Sequence, residues 1–140
     1  MKIAQIALPV PLLQIFDYLI PFKIKPVIGS RVKVVFGHRI MIGIVVNLCK
    51  NSALDPLKLK YINTILDQES LFFPGLWNML LFSANYYHYP LGLMLTNSLP
   101  NILKKGKEKK YQFLYKKKKY VAIIQKTFLH YIKKKILFYI

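Results

Sequence analysis

Short apolar runs, broken every few residues by Pro or Gly, fill the first half of the chain. Residues 2 to 8 are apolar and bounded by Pro9 and Pro11, which predicts a strand. Residues 15 to 20 predict a second strand, closed by Pro21. Gly29 and Ser30 mark a turn before Arg31-Val32-Lys33-Val34, where charged and β-branched residues alternate with period two. That period is the mark of a half-buried strand with Val32 and Val34 inward. Residues 40 to 48 are almost wholly apolar and β-branched and predict a more buried strand, reached through a hairpin at Gly37-His38-Arg39. After a polar loop over residues 50 to 56, residues 60 to 66 supply a fifth strand.

The period changes at Pro74, well placed as the first residue of a helix. Trp77, Leu80, Leu81, Ala84 and Tyr87 recur at helical spacing and predict a core-facing stripe. Pro90 ends that helix, and residues 91 to 99 predict a second, short one before Pro100. The expected fold class is α+β: a small five-stranded β-barrel or sheet closed by two C-terminal helices. From Lys104 the text turns to Lys, Tyr, Ile and Phe. Val121, Ile124, Phe128, Tyr131 and Ile132 fall on one helical face with Lys126 and Lys133 opposite, and Lys135 spoils the stripe, so this tail is expected to be partly helical. The division is therefore a domain at 1–103 and a basic extension at 104–140, with no internal repeat.

Charge sharpens that division. Residues 1 to 103 carry nine Lys or Arg against Asp17, Asp55, Asp67 and Glu69, a net +5, whereas residues 104 to 140 carry thirteen Lys against Glu108 alone, a net +12. Hydrophobic content of 54% and aromatic content of 14% exclude a disordered chain over most of the length. The single cysteine, Cys49, excludes a disulfide framework or a cysteine-based zinc site within one chain. His38, His88 and His130 have no Asp, Glu or Cys partners at ligand spacing, so neither a metal nor another cofactor is expected. Residues 1 to 5 lack a secretory h-region, and no apolar run approaches the roughly 20 residues a membrane span needs. A soluble, cytoplasmic protein is the expectation. No Ser-His-Asp order, paired carboxylates or G-x-x-x-x-G-K-[ST] loop is present, which leaves no means of coupling ATP hydrolysis to work.

The order of blocks resembles the N-terminal domain of the primosomal replication-restart helicase family (PriA, primosomal protein N′). The matching text is Ala7-Leu8-Pro9-Val10-Pro11-Leu12, then Phe16-Asp17-Tyr18-Leu19-Ile20-Pro21, then Gly29-Ser30-Arg31-Val32-Lys33-Val34-Val35-Phe36-Gly37. Gly43-Ile44-Val45-Val46, Tyr86-Tyr87-His88 and Pro90-Leu91-Gly92 continue it in order. Each block alone is weak; their collinearity over residues 1 to 105 is specific. The resemblance implies a module that binds the 3′ end of a nascent DNA strand at forks, through positions matching Phe16, Asp17, Gly37 and Lys60. Single-stranded DNA and other primosome proteins are the partners it suggests. Val35 stands where the family commonly has Pro, and the hairpin after Gly37 is slightly short. The motor parts of a complete family member are missing, so the chain is expected to be a truncated relative that binds DNA and is not an enzyme.

Each residue also has a plainer role open to it. Phe16 either stacks on a terminal base or packs in the core. Asp17 either accepts a hydrogen bond from the last nucleotide or stabilises a turn. Gly37 makes the hairpin and lets backbone approach a ligand closely. Arg31, Lys33, Arg39 and Lys58, with Lys60, either contact phosphates, giving affinity without sequence preference, or form a solvated basic face. Trp77, Tyr86 and Tyr87 are expected to pack in the helical core, and Cys49 to be a buried small hydrophobe. The alternatives to end recognition are a nonspecific basic nucleic-acid binder working through the lysine tail and an inactive truncated remnant. The tail itself has two further readings, a basic amphipathic helix on an anionic membrane surface and unselected sequence after a truncation. Its Lys, Ile, Tyr and Phe content suggests A/T-rich codons and favours the last.

Overall fold

A computed structural model describes residues 2 to 107; the expected helical stripe of the tail lies outside the described residues. Five strands form, β1 (Ile3–Ala7), β2 (Phe16–Leu19), β3 (Arg31–Phe36), β4 (Arg39–Cys49) and β5 (Ile62–Ile65), followed by α1 (Pro74–Tyr86), α2 (Leu91–Asn97) and α3 (Asn101–Lys104). A 3-10 turn at Pro56–Lys58 interrupts the polar loop, its N-terminus capped by the Asp55 carboxylate on the Leu57 N–H at 3.0 Å. The third helix was not anticipated. Pro100 precedes it without breaking anything, because a proline just before the first helical residue removes no helical hydrogen bond.

The strands pair antiparallel in the order β2-β1-β4-β3-β5. The sheet curls until its two edges touch, but it does not close into a barrel. β2 and β5 are four residues each, and β2 meets the residues that lead into β5 at one parallel bridge, Leu19 to Tyr61, with the Leu19 N–H donating to the Lys60 carbonyl at 2.9 Å. Inside the curl, Ala4, Ile6, Leu8, Tyr18, Val32, Val34, Val45 and Ile62 form one core, as the alternation of β3 predicted for Val32 and Val34. The Tyr18 hydroxyl spans the interior and donates to the Val35 carbonyl at 3.0 Å.

A second core lies on the outer face, where Ala7 and Ile44 receive Leu76, Leu80, Ala84, Met94 and Leu95 from the helices. The close fit of α2 has a specific origin. A Cβ at Gly92 would stand 1.7 Å from the Leu8 carbonyl oxygen, so only glycine lets the helix lie against the end of β1. A small third cluster joins Ile3, Leu19 and Leu59, with Cys49 half-buried beside it.

The outer face also corrects two expectations. Helix α1 buries Leu76, Leu80, Ser83 and Ala84, a stripe rotated from the expected one, and Tyr87 lies outside the helix as its C-cap. The turn that ends α1 has His88 in the left-handed region (φ 47°), its N–H on the Asn85 carbonyl at 3.2 Å and the Tyr89 N–H on the Ala84 carbonyl at 2.9 Å. This is a Schellman motif with histidine in the position glycine usually takes. Trp77 packs against Phe72 as expected, with ring centroids 5.4 Å apart. Tyr86 and Tyr87 do not join the core: with Phe82 they make an exposed chain of ring contacts at 5.7 and 4.9 Å.

Candidate nucleic-acid site at the sheet edge

The Gly37-His38 loop makes a tight two-residue hairpin between β3 and β4, and Gly37 alone in it has positive φ (59°). Glycine at the first loop position is what a type II′ turn demands. The Gly37 carbonyl accepts from Lys60 Nζ at 3.1 Å, which draws the hairpin tip toward the chain entering β5. Just inside, the Phe16 ring meets the Phe36 ring edge-on, centroids 4.9 Å apart and planes at 70°. Arg39 is paired directly opposite Phe36, so its exposed side chain shares that face. Phe16, Gly37, Lys60 and Arg39 are thus gathered at one end of the curled sheet.

Asp17 is not with them. Adjacent residues of a strand point to opposite faces, and Phe16 turns toward the inner core while Asp17 turns outward. A single cup walled by the Phe16 ring and the Asp17 carboxylate does not exist. On the outer face the Asp17 carboxylate accepts from Gln5 Nε2 at 3.2 Å on one oxygen and from the Ser52 hydroxyl on the other. Gln5 in turn accepts from Asn47 Nδ2 at 3.0 Å. The Asp17 main chain has another orientation. The Ile20 N–H bonds the Lys2 carbonyl on the β1 side at 2.9 Å. Antiparallel alternation then turns the Leu19 and Asp17 peptide groups to the other side, toward the open edge. The Leu19 N–H bond to Lys60 follows that rule.

The remaining basic residues divide. Arg31, expected on a phosphate-facing surface, is fully buried. Its guanidinium grips Asp67 through Nε at 2.7 Å and Nη2 at 2.8 Å, and Nη1 donates to the carbonyls of Leu103 at 2.6 Å and Lys107 at 3.1 Å. The charge is spent inside the fold, because the C-terminal turn covers the outer face of β3. Arg31 is therefore withdrawn as a phosphate contact. Lys33 shares that outer face, and its Cε lies 3.7 Å from where a Gly106 Cβ would stand, so it too points away from the Phe16 side. Lys58 is exposed at the end of the 3-10 turn.

Burial pushes the Tyr18 hydroxyl above its usual pKa range. Burial, with Asp17 second, pushes the Cys49 thiol up. Neither group is poised for proton transfer near neutral pH. Among the described residues no three His, Cys, Asp or Glu side chains cluster as metal ligands, and no helix is long and apolar enough to cross a membrane.

Sequence reasoning missed Phe36, Gln5, Asn47 and Ser52. Phe36 was visible as the last residue before the hairpin. The Asn47-Gln5-Asp17 row depends on register between three strands, which no local pattern gives.

Comparison with known proteins bears on this geometry. Residues 5 to 100 match a family described as the 3′DNA-binding domain (3′BD) of PriA. The replication restart protein PriA of Buchnera aphidicola subsp. Schizaphis graminum is 31% identical over 139 residues, covering 96% of this chain and 19% of that protein. PriA of Haemophilus influenzae is 42% identical over 106 residues, covering 76% of this chain and 14% of its own length. The chain thus spans a fifth or less of the length of these relatives.

Proposed function

The chain belongs to the 3′DNA-binding domain (3′BD) family of PriA, and we propose that it binds the 3′ end of a DNA strand at the open edge of β2, by contact alone and without catalysis. The terminal base lies against Phe16 and Phe36, a stacking contact worth about 1–3 kcal/mol whatever the base. Lys60 and Arg39 face the phosphate that precedes it, with Lys58 farther out. Gly37 brings its backbone close because it has no side chain. Because β2 is an edge strand, a nucleotide lying across it borders both faces. Its terminal hydroxyl can therefore reach the Asp17 carboxylate while its base stays on the inner side.

The observation that carries this reading is the Lys60 contact to Gly37. It joins the hairpin tip to the β5 side, beside the edge of β2 toward which the Asp17 peptide group turns. A carboxylate repels phosphate, so Asp17 suits the one nucleotide position with no phosphate following. Binding of a fork or single strand ending in 3′-OH is compared with one ending in 3′-phosphate by fluorescence anisotropy. Preference for the hydroxyl end, lost in Asp17→Ala, is the expected result; equal affinity for both ends, unchanged by that substitution, rules end recognition out. Cytoplasmic location and other primosome proteins as partners accompany this proposal.

A second reading draws on the charge of +12 over residues 104 to 140: the lysines grip any polyanion. Its affinity falls steeply with salt and is blind to the chemistry of the strand end. The same titration at two salt concentrations separates the two.

A further inference from the structure

Among the described residues Asp17 pairs with no cation, although the chain is strongly basic; the one ion pair there is Arg31 with Asp67. Its carboxylate is held by neutral donors alone, Gln5 Nε2 on Oδ1 and the Ser52 hydroxyl on Oδ2. The charge is oriented but not neutralised. An ionised carboxylate has about four acceptor sites, so two remain for a ligand donor.

The orientation is itself enforced. Asn47, Gln5 and Asp17 lie directly opposite one another across β4, β1 and β2. The Asn47 amide donates to Gln5 Oε1 at 3.0 Å, which leaves the Gln5 NH2 as the end that faces Asp17. Register between β1 and β4 shifts between Gln5 and Ile6, because Gln5 pairs with Asn47 and Ile6 with Val45; the extra residue is Val46 of β4, next to Asn47. Bulges re-aim side chains in this way.

We infer that Gln5 is a positioning residue for end recognition, locked by Asn47 so that it presents a donor to Asp17 and leaves that carboxylate a pure acceptor for a hydroxyl. This rests on the role proposed above for Asp17. Asn47 acts at one remove, by fixing which end of the Gln5 amide faces the acid. The sign of an Asn47 substitution follows. Asn47→Ala frees the Gln5 amide to rotate, whereas Asn47→Asp puts an acceptor against Oε1 and drives the amide over. The Gln5 oxygen then confronts the Asp17 carboxylate, and the acid is pushed out of position. Asn47→Asp is the more damaging of the two, although both changes sit on an exposed side chain.

The test uses the full chain and a fluorescent single-stranded oligonucleotide ending in 3′-OH or 3′-phosphate, at salt high enough to suppress nonspecific phosphate binding. The readout is the ratio of the two affinities, taken on variants whose circular dichroism and melting match the parent, because a lost fold leaves only the end-blind lysines and brings the ratio to one. Gln5→Met should lower the ratio by roughly three- to tenfold, about what one hydrogen bond is worth. Asn47→Asp should lower it more than Asn47→Ala. Should Gln5→Met fail to fold, the exposed Asn47 pair carries the test. A ratio lost in Asp17→Asn but kept in Gln5→Met and Asn47→Asp overturns the positioning role alone. A ratio kept in Asp17→Asn overturns the role of Asp17 and, with it, this inference.

Discussion

Arg31 and Asp67 hold each other in full burial, two guanidinium nitrogens on two carboxylate oxygens at 2.7 and 2.8 Å. The Arg31 main-chain N–H adds a third bond to Asp67 at 3.1 Å. With Nη1 on the carbonyls of Leu103 and Lys107, one side chain ties β3 to the loop after β5 and to the end of α3. Removing one partner strands the other charge, so Arg31→Met or Asp67→Leu alone should cost about 3–5 kcal/mol. Replacing both together should cost less than either alone, as urea melts of the three variants would show.

Glycine positions separate close approach from backbone strain. Gly92→Ala drives a methyl into the Leu8 carbonyl, which cannot yield without moving β1 or α2. A loss of about 1–3 kcal/mol or more is expected. Gly37→Ala meets nothing within 4 Å and suffers only its positive φ, at roughly 1–2 kcal/mol. The reverse change, His88→Gly, relieves left-handed strain at the end of α1 and should raise the melting temperature slightly. Calorimetry on the three variants gives the order.

Lys60 is exposed and bonds only a hairpin carbonyl, so Lys60→Met should leave stability within about 0.5 kcal/mol. DNA affinity should nonetheless fall, and the slope of log affinity against log salt should shrink by roughly one. No change in that slope would remove Lys60 from the phosphate contacts.

Cys49 gives a pH signature. Its folded thiol is held protonated by burial and by Asp17, above the value in the unfolded chain. The folded state therefore holds its proton more tightly. The associated stability is complete below the unfolded pKa and is lost as pH rises through the folded one. Alkylation of native protein should be slow at pH 8 and quicken on unfolding. Asp17→Asn should speed the native reaction.

The strands were legible because each depends on local signals: Pro9 and Pro21 as stops, Gly37 as the hairpin, alternation across β3. That alternation placed Val32 and Val34 correctly. It said nothing of what covers the opposite face, and there the expected phosphate contact Arg31 is enclosed by residues more than seventy positions later. The face of α1 misled for another reason. From Ser70 to Leu103 the chain has no Lys, Arg, Asp or Glu, so no charge marked the solvent side, and Tyr86 and Tyr87 read as core. The separation of Phe16 from Asp17 needed only the two-residue period of a strand. The bonds that hold Asp17 in place arise from a register that only the folded sheet supplies.

The sheet order sets a schedule for synthesis. Ile3 on the inner strand β1 is matched with Cys49, forty-six positions later, so an emerging N-terminus has only β2 to pair with until β4 leaves the ribosome. For that interval an apolar segment lacks half its partners, the exposure that invites chaperone capture. The nascent polypeptide completes its centre late, and its first-made residues are among the last to be secured.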